Sequence, residues 1–403
     1  MRFLGVDGII DRDDAMINVT KLYCGGNFPG DKLRYAADGA RAPVVAWNCT
    51  LRCNLNCRHC YSDSGEKAAG EELSSAEARE MISDLARYGV PVLLFSGGEP
   101  LLRPDVMELG AWAAGRGIRT VLSTNGTLIG NGEAAAIRES GFSYVGVSLD
   151  GLGNDNDRFR GVAGAFDKAM DGMRHCLSAG LKTGLRVTLT RRNLTQLEPL
   201  LDLARREGLA RVCVYHLVYC GRGSDMARDD LAPDEARGAM DAIIRKAREC
   251  YADDKEFEIL TVDNHADGVY IYRKLLAEDP GRAEAARSLL ERAGGNRSGI
   301  GIACIDAGGM VYPDQFMRQS PVGDVREKEF SEIWSDSGNP ILAPLRDRKG
   351  LLKGRCGRCS WKGICNGNMR ARALAIHGDL WAEDPACYLT DEEIGNYSRK
   401  FKV

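Results

Sequence analysis

Short apolar runs alternate with amphipathic stretches along residues 44–250. The apolar runs end in polar residues, which predicts buried strands, and the stretches between them carry apolar residues at helical spacing. Strands are expected at Pro91–Leu94, Arg119–Gly126, Tyr144–Asp150, Thr183–Thr190 and Arg211–Val218, and helices at Asp105–Ala114, Ala165–Ala179 and Leu197–Glu207. This alternation implies right-handed crossovers and a parallel sheet covered on both faces, and therefore the α/β class.

Polar side chains gather where the predicted strands end. Ser123 and Asn125 close one strand, Ser148 and Asp150 close the next, and Arg186 lies on the fifth. The carboxyl ends of parallel strands lie on one face, and barrel active sites are built there. Ser123 and Ser148 also have a plainer interpretation, because serine caps helices that follow strands.

Three cysteines stand close together near the start of the chain. Cys53, Cys57 and Cys60 have the spacing CxxxCxxC. An iron–sulfur cube is normally held by four cysteinates, so three ligands leave one iron open, as a catalytic metal site requires. A zinc site is the alternative, but zinc ligands usually come as two pairs and no matching pair lies nearby.

Two adjacent glycines, Gly97 and Gly98, follow the apolar run Pro91–Leu94 after two intervening residues. A short apolar run that ends in glycines predicts a buried strand entering a tight turn. Gly97 and Gly98 let the backbone approach a ligand, and Glu99 supplies an acceptor for an ammonium group. Together with the cysteine triplet, in this order and spacing, the motif resembles the radical S-adenosylmethionine (SAM) superfamily.

The resemblance implies both a fold and a cluster. Six strand–helix units between about Val44 and about Cys250 suit the partial (β/α)6 barrel of that superfamily. Cys53, Cys57 and Cys60 would bind a reducible [4Fe–4S] cluster at the end of the barrel strands.

The resemblance also implies a SAM site. Gly97, Gly98 and Glu99 would hold the methionine amino group, and Arg186 would pair with the carboxylate, a role that suits a planar guanidinium. The other strand-end positions would contact the ribose or line the pocket, and these are Ser123, Asn125, Ser148 and Asp150.

A second group of cysteines lies in the last quarter of the chain. Its CxxC pair, a third cysteine and a distant fourth form a complete thiolate set, namely Cys356, Cys359, Cys365 and Cys387. The arrangement resembles the SPASM extension of many radical SAM enzymes, which carries auxiliary clusters. Met369 and Gln315 stand where the full pattern expects cysteines, so one auxiliary [4Fe–4S] cluster is expected. Cys304 is then not a ligand of either cluster. A zinc ribbon remains the alternative for this set.

These motifs divide the chain into four regions. We expect an N-terminal extension over 1–43, the barrel over 44–250, a connecting segment over 251–300 and a SPASM-like domain over 301–403. The chain of 403 residues is 44% hydrophobic and 28% charged, with net charge −3, which suits several packed domains and argues against a nucleic-acid surface. It has neither a long apolar stretch nor an export signal, so no membrane span is expected, and its 14 cysteines indicate a reducing cytoplasm.

Longer stretches resemble one group of radical SAM enzymes. They are Ile17–Cys24, Val214–Gly223, Thr261–Gly268, Leu351–Cys356 and Trp381–Tyr388. The group contains the deacetylases that act on 12,18-didecarboxysiroheme in the siroheme-dependent haem pathway, together with the similar maturases of haem d1 synthesis. The resemblance implies removal of two acetate side chains to give iron-coproporphyrin III. It also implies an electron donor such as ferredoxin or flavodoxin.

A polyanionic tetrapyrrole requires cationic partners. Arg222 follows the sixth strand, and Arg297 and Arg318 lie near the predicted domain junction, although a single arginine is more often a solvated charge. His265 lies in a polar run outside the core barrel, where it could meet the substrate or simply begin a helix. His216 is interpreted as a hydrogen-bonded core histidine.

Three alternatives remain open. Haem d1 maturation would remove propionates from the same substrate, and the sequence barely separates it from deacetylation. A SPASM peptide maturase is the second, although such enzymes often carry a longer N-terminal leader-binding domain. The third is an electron-transfer protein that uses its clusters as wires, and Gly98, Glu99 and Arg186 argue against it because a wire needs no SAM pocket.

Overall fold

The computed structural model of the chain describes residues 16–28, 31, 35, 42–66 and 70–395. Within these residues one sheet of 11 strands organises the molecule. The strands are β1 (Met16–Asn18), β2 (Val44–Thr50), β3 (Val92–Gly97), β4 (Arg119–Thr124), β5 (Tyr144–Ser148), β6 (Thr183–Leu189), β7 (Arg211–His216), β8 (Glu258–Val262), β9 (Ile302–Ile305), β10 (Met310–Tyr312) and β11 (Gly323–Asp324).

The strands from β2 to β8 are parallel and pair in sequence order. β1 pairs antiparallel with β8 at one edge. At the other edge β9 pairs parallel with β2, and β10 and β11 continue the sheet antiparallel. Parallel neighbours joined by helices are the arrangement that the alternating pattern predicts, and the α/β class with a partial barrel is confirmed.

Helices occupy the crossovers and much of the C-terminal region. They are α1 (Val19–Cys24), α2 (Ser75–Tyr88), α3 (Val106–Ala114), α4 (Asn131–Glu139), α5 (Asn154–Arg160), α6 (Ala165–Ser178), α7 (Leu197–Arg206), α8 (Pro233–Asp253), α9 (Ala266–Glu278), α10 (Pro280–Ala293), α11 (Phe330–Ser335), α12 (Leu342–Arg346), α13 (Gly354–Arg358), α14 (Lys362–Cys365), α15 (Arg370–His377) and α16 (Asp391–Gly395). Three 3₁₀ segments lie at Pro100–Leu102, Leu194–Gln196 and Gly221–Asp229.

Local sequence explains where these elements begin and pack. A capping box starts α2, where the Ser74 side chain accepts from the Glu77 amide and the Glu77 carboxylate accepts from the Ser74 amide. Every residue of β2 is buried. Trp47 on that strand packs edge-on against Phe95 of β3, with ring centroids 5.4 Å apart. The core therefore lies between the sheet and its helices, as the apolar runs predict.

The sheet extends beyond the region expected for the barrel. Residues 251–300 were expected to connect two domains, but they supply β8, which continues the parallel sheet. From the expected N-terminal extension, β1 closes the β8 edge, while residues 1–15 lie outside the described part. From the expected SPASM-like domain, β9 pairs with β2. Backbone pairing of short apolar strands thus joins all four regions in one sheet.

The carboxyl ends of the parallel strands face the loop that follows β2, and this loop carries the cysteine triplet. Among the helices of the described residues, none has both the length and the apolar character needed to cross a bilayer.

Candidate active site

The loop that follows β2 brings the three cysteines to one cavity. Cys53, Cys57 and Cys60 line an open space of about 1070 Å³, called here the barrel cavity. Backbone hydrogen bonds fix the loop, from the Cys53 amide to the Gly65 carbonyl at 2.8 Å and from the Asn56 amide to the carbonyl of Arg160 at 3.0 Å. The loop that carries the three cysteines is therefore held in place by two separate segments of the chain.

The thiols of this loop are poorly solvated. Burial raises the pKa of the Cys53 thiol to about 12 and also raises the pKa of Cys57. Thiolates form here only beside a cation, because a buried negative charge is otherwise costly. Three converging, half-buried or buried sulfurs that need positive charge fit an iron–sulfur cluster.

The paired glycines let the cluster loop and β3 meet. A Cβ atom on Gly98 would lie 2.1 Å from the Arg52 carbonyl oxygen, and one on Gly97, whose φ is +131°, would lie 2.3 Å from that of Thr50. The Gly98 amide donates to the Thr50 carbonyl at 2.7 Å. Both glycines line the barrel cavity, so their backbone is available to a ligand there.

Glu99 occupies a different place from the one expected for it. Its carboxylate is fully buried and accepts hydrogen bonds from the Thr124 hydroxyl at 2.7 Å and the Asn125 amide at 2.8 Å. The Leu101 amide donates to it at 3.2 Å. The side chain thus ties the turn after β3 to the end of β4, whereas the wall of the barrel cavity is formed by Gly97 and Gly98. The structure therefore does not support the expectation that this carboxylate meets an ammonium group.

Arg186 and the strand-end hydroxyls do come together. The guanidinium of Arg186 donates to the Ser123 hydroxyl at 2.8 Å and contacts the hydroxyl of Tyr215. Its positive charge lies above the Tyr215 ring, with the guanidinium carbon 4.9 Å from the centroid. Ser123, Ser148 and Arg186 all line the barrel cavity. A guanidinium held by hydroxyl groups at a cavity wall suits binding of a carboxylate.

Asn125 also lines the barrel cavity. Its side-chain amide donates to Asn54 Oδ1 at 2.8 Å, and its Oδ1 accepts from the Thr127 amide at 2.9 Å. This pairing links the end of β4 to the cluster loop, because Asn54 follows Cys53. Asn125 therefore shapes the cavity beside the cysteine triplet.

Asp150 belongs to a buried ion pair that sequence reasoning did not find. Its Oδ2 lies 2.5 Å from Nη2 of Arg160, and its Oδ1 accepts from the Thr188 amide at 2.8 Å. Arg160 in turn donates from Nη1 to the sulfur of Cys57 at 3.7 Å. Arg160 lines the cavity, whereas Asp150 does not. Asp150 lies behind the wall and positions Arg160 beside the cluster loop.

His59, in the slot before the last cysteine, completes this part of the wall. Its ring packs against Phe159 with centroids 4.9 Å apart, and Nε2 lies 3.5 Å from Asp150 Oδ2. Burial lowers the pKa of His59 to about 4, so the ring is neutral near pH 7. A neutral imidazole packed against Phe159 therefore forms this part of the wall.

The second group of cysteines surrounds a separate space. Cys356, Cys359, Cys365 and Cys387 line a largely apolar cavity of about 450 Å³. Burial raises the pKa of Cys387 to about 12 and also raises that of Cys365. In the described residues no three Cys, His, Asp or Glu side chains are arranged to hold a single metal ion. Four thiols that line one cavity form the ligand set of a closed, four-thiolate site.

The positions that depart from the full cysteine pattern lie elsewhere. Met369 is buried, and its sulfur accepts from the Asn296 side chain at 3.1 Å. Cys304 is buried in β9, 3.6 Å from Nδ2 of Asn48. Gln315 lines the barrel cavity, and its Oε1 is buried with no hydrogen-bond partner among the described residues.

The four substrate candidates from the sequence lie in different places. Arg297 lines a smaller space, called here the inner cavity, that shares Arg186, Asp263 and Gln315 with the barrel cavity. Its Nε is buried and lacks a partner in the part of the chain that the structure describes. Of the four, Arg297 is the one that lines the inner cavity.

The other three candidates have neighbours of their own. Arg222 donates to the Cys57 carbonyl at 2.8 Å and to Asp63 at 3.0 Å, so it braces the cluster loop. Arg318 lies 3.8 Å from Asp306 and over the Tyr312 ring. His265 is buried at the start of α9, where its amide donates to Asn368 at 2.7 Å and burial lowers the pKa of its ring to about 4.

Comparison with known proteins connects this geometry to a family. The model of the Radical SAM superfamily matches residues 47–204. Fe-coproporphyrin III synthase of Methanosarcina barkeri (strain Fusaro / DSM 804) is 49% identical over 397 residues, which cover 95% of this chain and 100% of that protein. This chain belongs to the radical SAM superfamily. Membership implies an enzyme that uses SAM and a [4Fe–4S] cluster.

Further radical SAM proteins agree with this assignment. Pre-heme d1 synthase of Dinoroseobacter shibae (strain DSM 16493 / NCIMB 14021 / DFL 12) is 46% identical, over 89% of each chain. The crystal structure of Streptococcus suis SuiB bound to precursor peptide SuiA has a TM-score of 0.70 at 17% identity, covering 90% of this chain and 79% of SuiB. Native anSMEcpe with bound AdoMet and a peptide has a TM-score of 0.64 at 18% identity, covering 88% of this chain and 96% of the other. The last two show the shared fold.

Proposed function

We propose that this radical SAM enzyme removes the two acetate side chains of 12,18-didecarboxysiroheme and releases iron-coproporphyrin III. The observation that carries the proposal is the 49% identity to Fe-coproporphyrin III synthase over the full length of that protein. The match covers 95% of this chain, so it extends well beyond residues 47–204, which the superfamily model matches.

In this proposal the barrel cavity holds the first cluster and SAM. Cys53, Cys57 and Cys60 would hold the cluster, and with three protein ligands the cluster would keep a position for SAM. The backbone of Gly97 and Gly98 faces the methionine amino group, and Arg186 binds the carboxylate. The chemistry that these cofactors supply when bound is a 5′-deoxyadenosyl radical, which attacks C–H bonds that acids and bases cannot activate.

Three further wall residues shape the SAM pocket in this proposal. Ser123 orients Arg186 through its hydroxyl, while Asn125 and Ser148 line the same cavity. Asp150 acts from behind the wall by holding Arg160. The polar groups that face SAM are thus fixed by partners before SAM arrives, which lowers the entropic cost of binding.

The auxiliary site completes the cofactor set. We assign a second [4Fe–4S] cluster to Cys356, Cys359, Cys365 and Cys387, whose thiols line one cavity. With four protein ligands this cluster has no open iron, so its role is to pass electrons. A cytoplasmic ferredoxin or flavodoxin is the class of donor that would reduce it. The same class of donor would serve the barrel cluster.

The inner cavity supports an anionic, polar substrate. Burying Arg297 Nε and Gln315 Oε1 without partners costs free energy, and a ligand that hydrogen-bonds to them recovers it. Both residues line the inner cavity, which shares wall residues with the barrel cavity. A carboxylate of the tetrapyrrole meets the donor group of Arg297. The substrate is thereby held beside the SAM pocket.

A second candidate has its own supporting observation. Pre-heme d1 synthase is 46% identical over 89% of this chain, so the propionates of the same substrate could be the groups removed. The two reactions place different side chains next to SAM and leave products of different mass. Mass analysis of the tetrapyrrole separates them.

The test is anaerobic incubation of the purified protein with didecarboxysiroheme, SAM and dithionite. Loss of two acetates from the tetrapyrrole, with formation of 5′-deoxyadenosine, is the expected result. Cys57→Ala should abolish both, because the barrel cluster loses one of its three ligands. Loss of propionates instead would identify the second candidate, and an unmodified tetrapyrrole despite 5′-deoxyadenosine formation would refute both.

A further inference from the structure

A histidine–aspartate pair stands in the wall of the barrel cavity, away from the cysteine triplet. His216 is the last residue of β7 and lines this cavity. Its Nε2 lies 2.9 Å from Oδ2 of Asp267, a fully buried residue in the first turn of α9. The sequence interpretation of His216 as a core histidine is therefore incomplete, because its ring has both a buried partner and a face toward the cavity.

The pair is anchored from the C-terminal region as well. The hydroxyl of Tyr388 donates to the second oxygen of Asp267 at 2.6 Å, and Tyr388 follows the cluster ligand Cys387. Tyr388 is buried against Tyr270, with ring centroids 5.7 Å apart. Both carboxylate oxygens of Asp267 are thus occupied, so its orientation and that of the imidazole are fixed before any ligand enters.

Holding this pair in the protein interior has a cost. Two ionisable groups lose water, and apolar residues of the same volume stabilise a fold equally well or better. The charges around His216 are Asp267 itself, Arg372 and Asp230, and Asp267 raises the pKa of the imidazole. An imidazole that is paired with a carboxylate at a cavity wall presents its other ring nitrogen as a hydrogen-bond donor.

Only one nitrogen of the ring is available to a ligand. Asp267 occupies Nε2, so Nδ1 is the atom that can donate to a molecule in the cavity. We propose that His216, oriented by Asp267, binds a side-chain carboxylate of the tetrapyrrole through Nδ1–H, which makes it a specificity-determining residue for the acid groups of the substrate. This proposal rests on the proposed function and deepens it.

The two residues then have separable roles. His216 touches the substrate, whereas Asp267 is a positioning residue that acts through His216. Replacing His216 removes the contact with the substrate. Replacing Asp267 removes the group that orients the imidazole and favours its positive charge. If Asp267 acts only through His216, the effects of the two substitutions on substrate affinity are not additive. Once His216 is replaced, replacing Asp267 causes no further loss of affinity.

The experiment measures binding of didecarboxysiroheme and of its fully esterified form by absorbance titration of the reconstituted protein. The variants are His216→Gln, Asp267→Asn and the double variant, with His377→Gln as the control at an exposed helix end. We expect His216→Gln to weaken binding of the acid by about tenfold to a hundredfold, the range for a lost charge-assisted hydrogen bond. The ester should bind the wild type and this variant equally.

Further readouts separate this role from a structural one. Iron content should stay at the wild-type value in His216→Gln, and KM for the acid should rise more than kcat falls. Unchanged affinity for the acid, or the same loss of affinity for the acid and the ester, overturns the proposal while leaving the proposed function intact. A wild type that neither binds nor converts didecarboxysiroheme overturns both.

Discussion

Arg160 Nη1 donates to the sulfur of Cys57 across 3.7 Å. The same guanidinium is held by Asp150, and the pair is buried beside the barrel cavity. A cation that donates to a ligand sulfur stabilises the form of a cluster with more negative charge. In the proposed function, the reducibility of the barrel cluster would therefore depend on a residue that is not one of its ligands.

Arg160→Lys should lower the midpoint potential of the barrel cluster and leave iron content near that of the wild type. Lysine keeps a charge for Asp150 but lacks the fork that reaches both partners. Redox titration followed by electron paramagnetic resonance measures the potential. Arg158→Lys is the matched control, because this arginine of the same helix has a side chain that is 74% exposed. Equal potentials in the two variants would contradict the role of Arg160.

Arg186→Lys should weaken SAM binding, since lysine offers no bidentate donor to a carboxylate. A charge-assisted contact contributes about 1.5–3 kcal/mol, which corresponds to a loss of at least about tenfold in affinity. Equilibrium dialysis with labelled SAM measures the change. Unaltered affinity would show that Arg186 serves only to hold Ser123 and Tyr215 in place.

Reconstituted protein should contain two cubes, about eight irons per chain at four per cube. Cys304→Ala should keep this content, because the Cys304 thiol is buried in β9 beside Asn48 and apart from both cysteine-lined cavities. Cys387→Ala should lower the iron content or expose a labile iron, while SAM binding persists. Iron analysis with Mössbauer spectroscopy checks all three proteins, and a third cluster, or loss of one in Cys304→Ala, would refute the ligand assignment.

Gly98→Ala should displace the cluster loop, because the new methyl group would lie 2.1 Å from the Arg52 carbonyl oxygen. Overpacking of this kind costs about 1–3 kcal/mol, and iron retention should fall together with SAM cleavage. Gly132→Ala is the control, since no atom lies within 4 Å of its added Cβ and the residue lies in α4. Thermal unfolding and iron content distinguish the two variants. A Gly98→Ala protein with full iron content would show that the close approach is dispensable.

The parts of the site that sequence reveals are those encoded by neighbouring residues. The cysteine spacings, the paired glycines and the strand ends are local, and the predicted strand that contains β4 differs from it by two residues at one end. The orientation of Glu99 is not local. Its carboxylate accepts from Thr124 at the end of β4 and from Asn125 directly after it, and only the folded sheet brings these donors close.

Distant contacts explain the other omissions. Arg160 lies 103 positions from Cys57, and nothing in the segment around it indicates that its side chain reaches the cluster loop. The sequence predicts that Arg222 meets the substrate, but its guanidinium donates to the backbone carbonyl of Cys57 in that loop. Strand β8 is a short apolar run beside charged residues, and its place in the sheet is set by pairing with β1 and β7. In each case, no local sequence pattern identifies the distant residue that makes the contact.

The pairing of β9 with β2 limits how a rigid, flat substrate reaches its site. Val44, Val45, Ala46 and Trp47 of β2 face Ile302, Ala303, Cys304 and Ile305 of β9 in a parallel register. Swinging the C-terminal region away from the barrel would break this backbone ladder and expose apolar side chains to water. In the proposed function, the macrocycle would therefore enter through the mouth of the barrel cavity while β9 stays paired with β2.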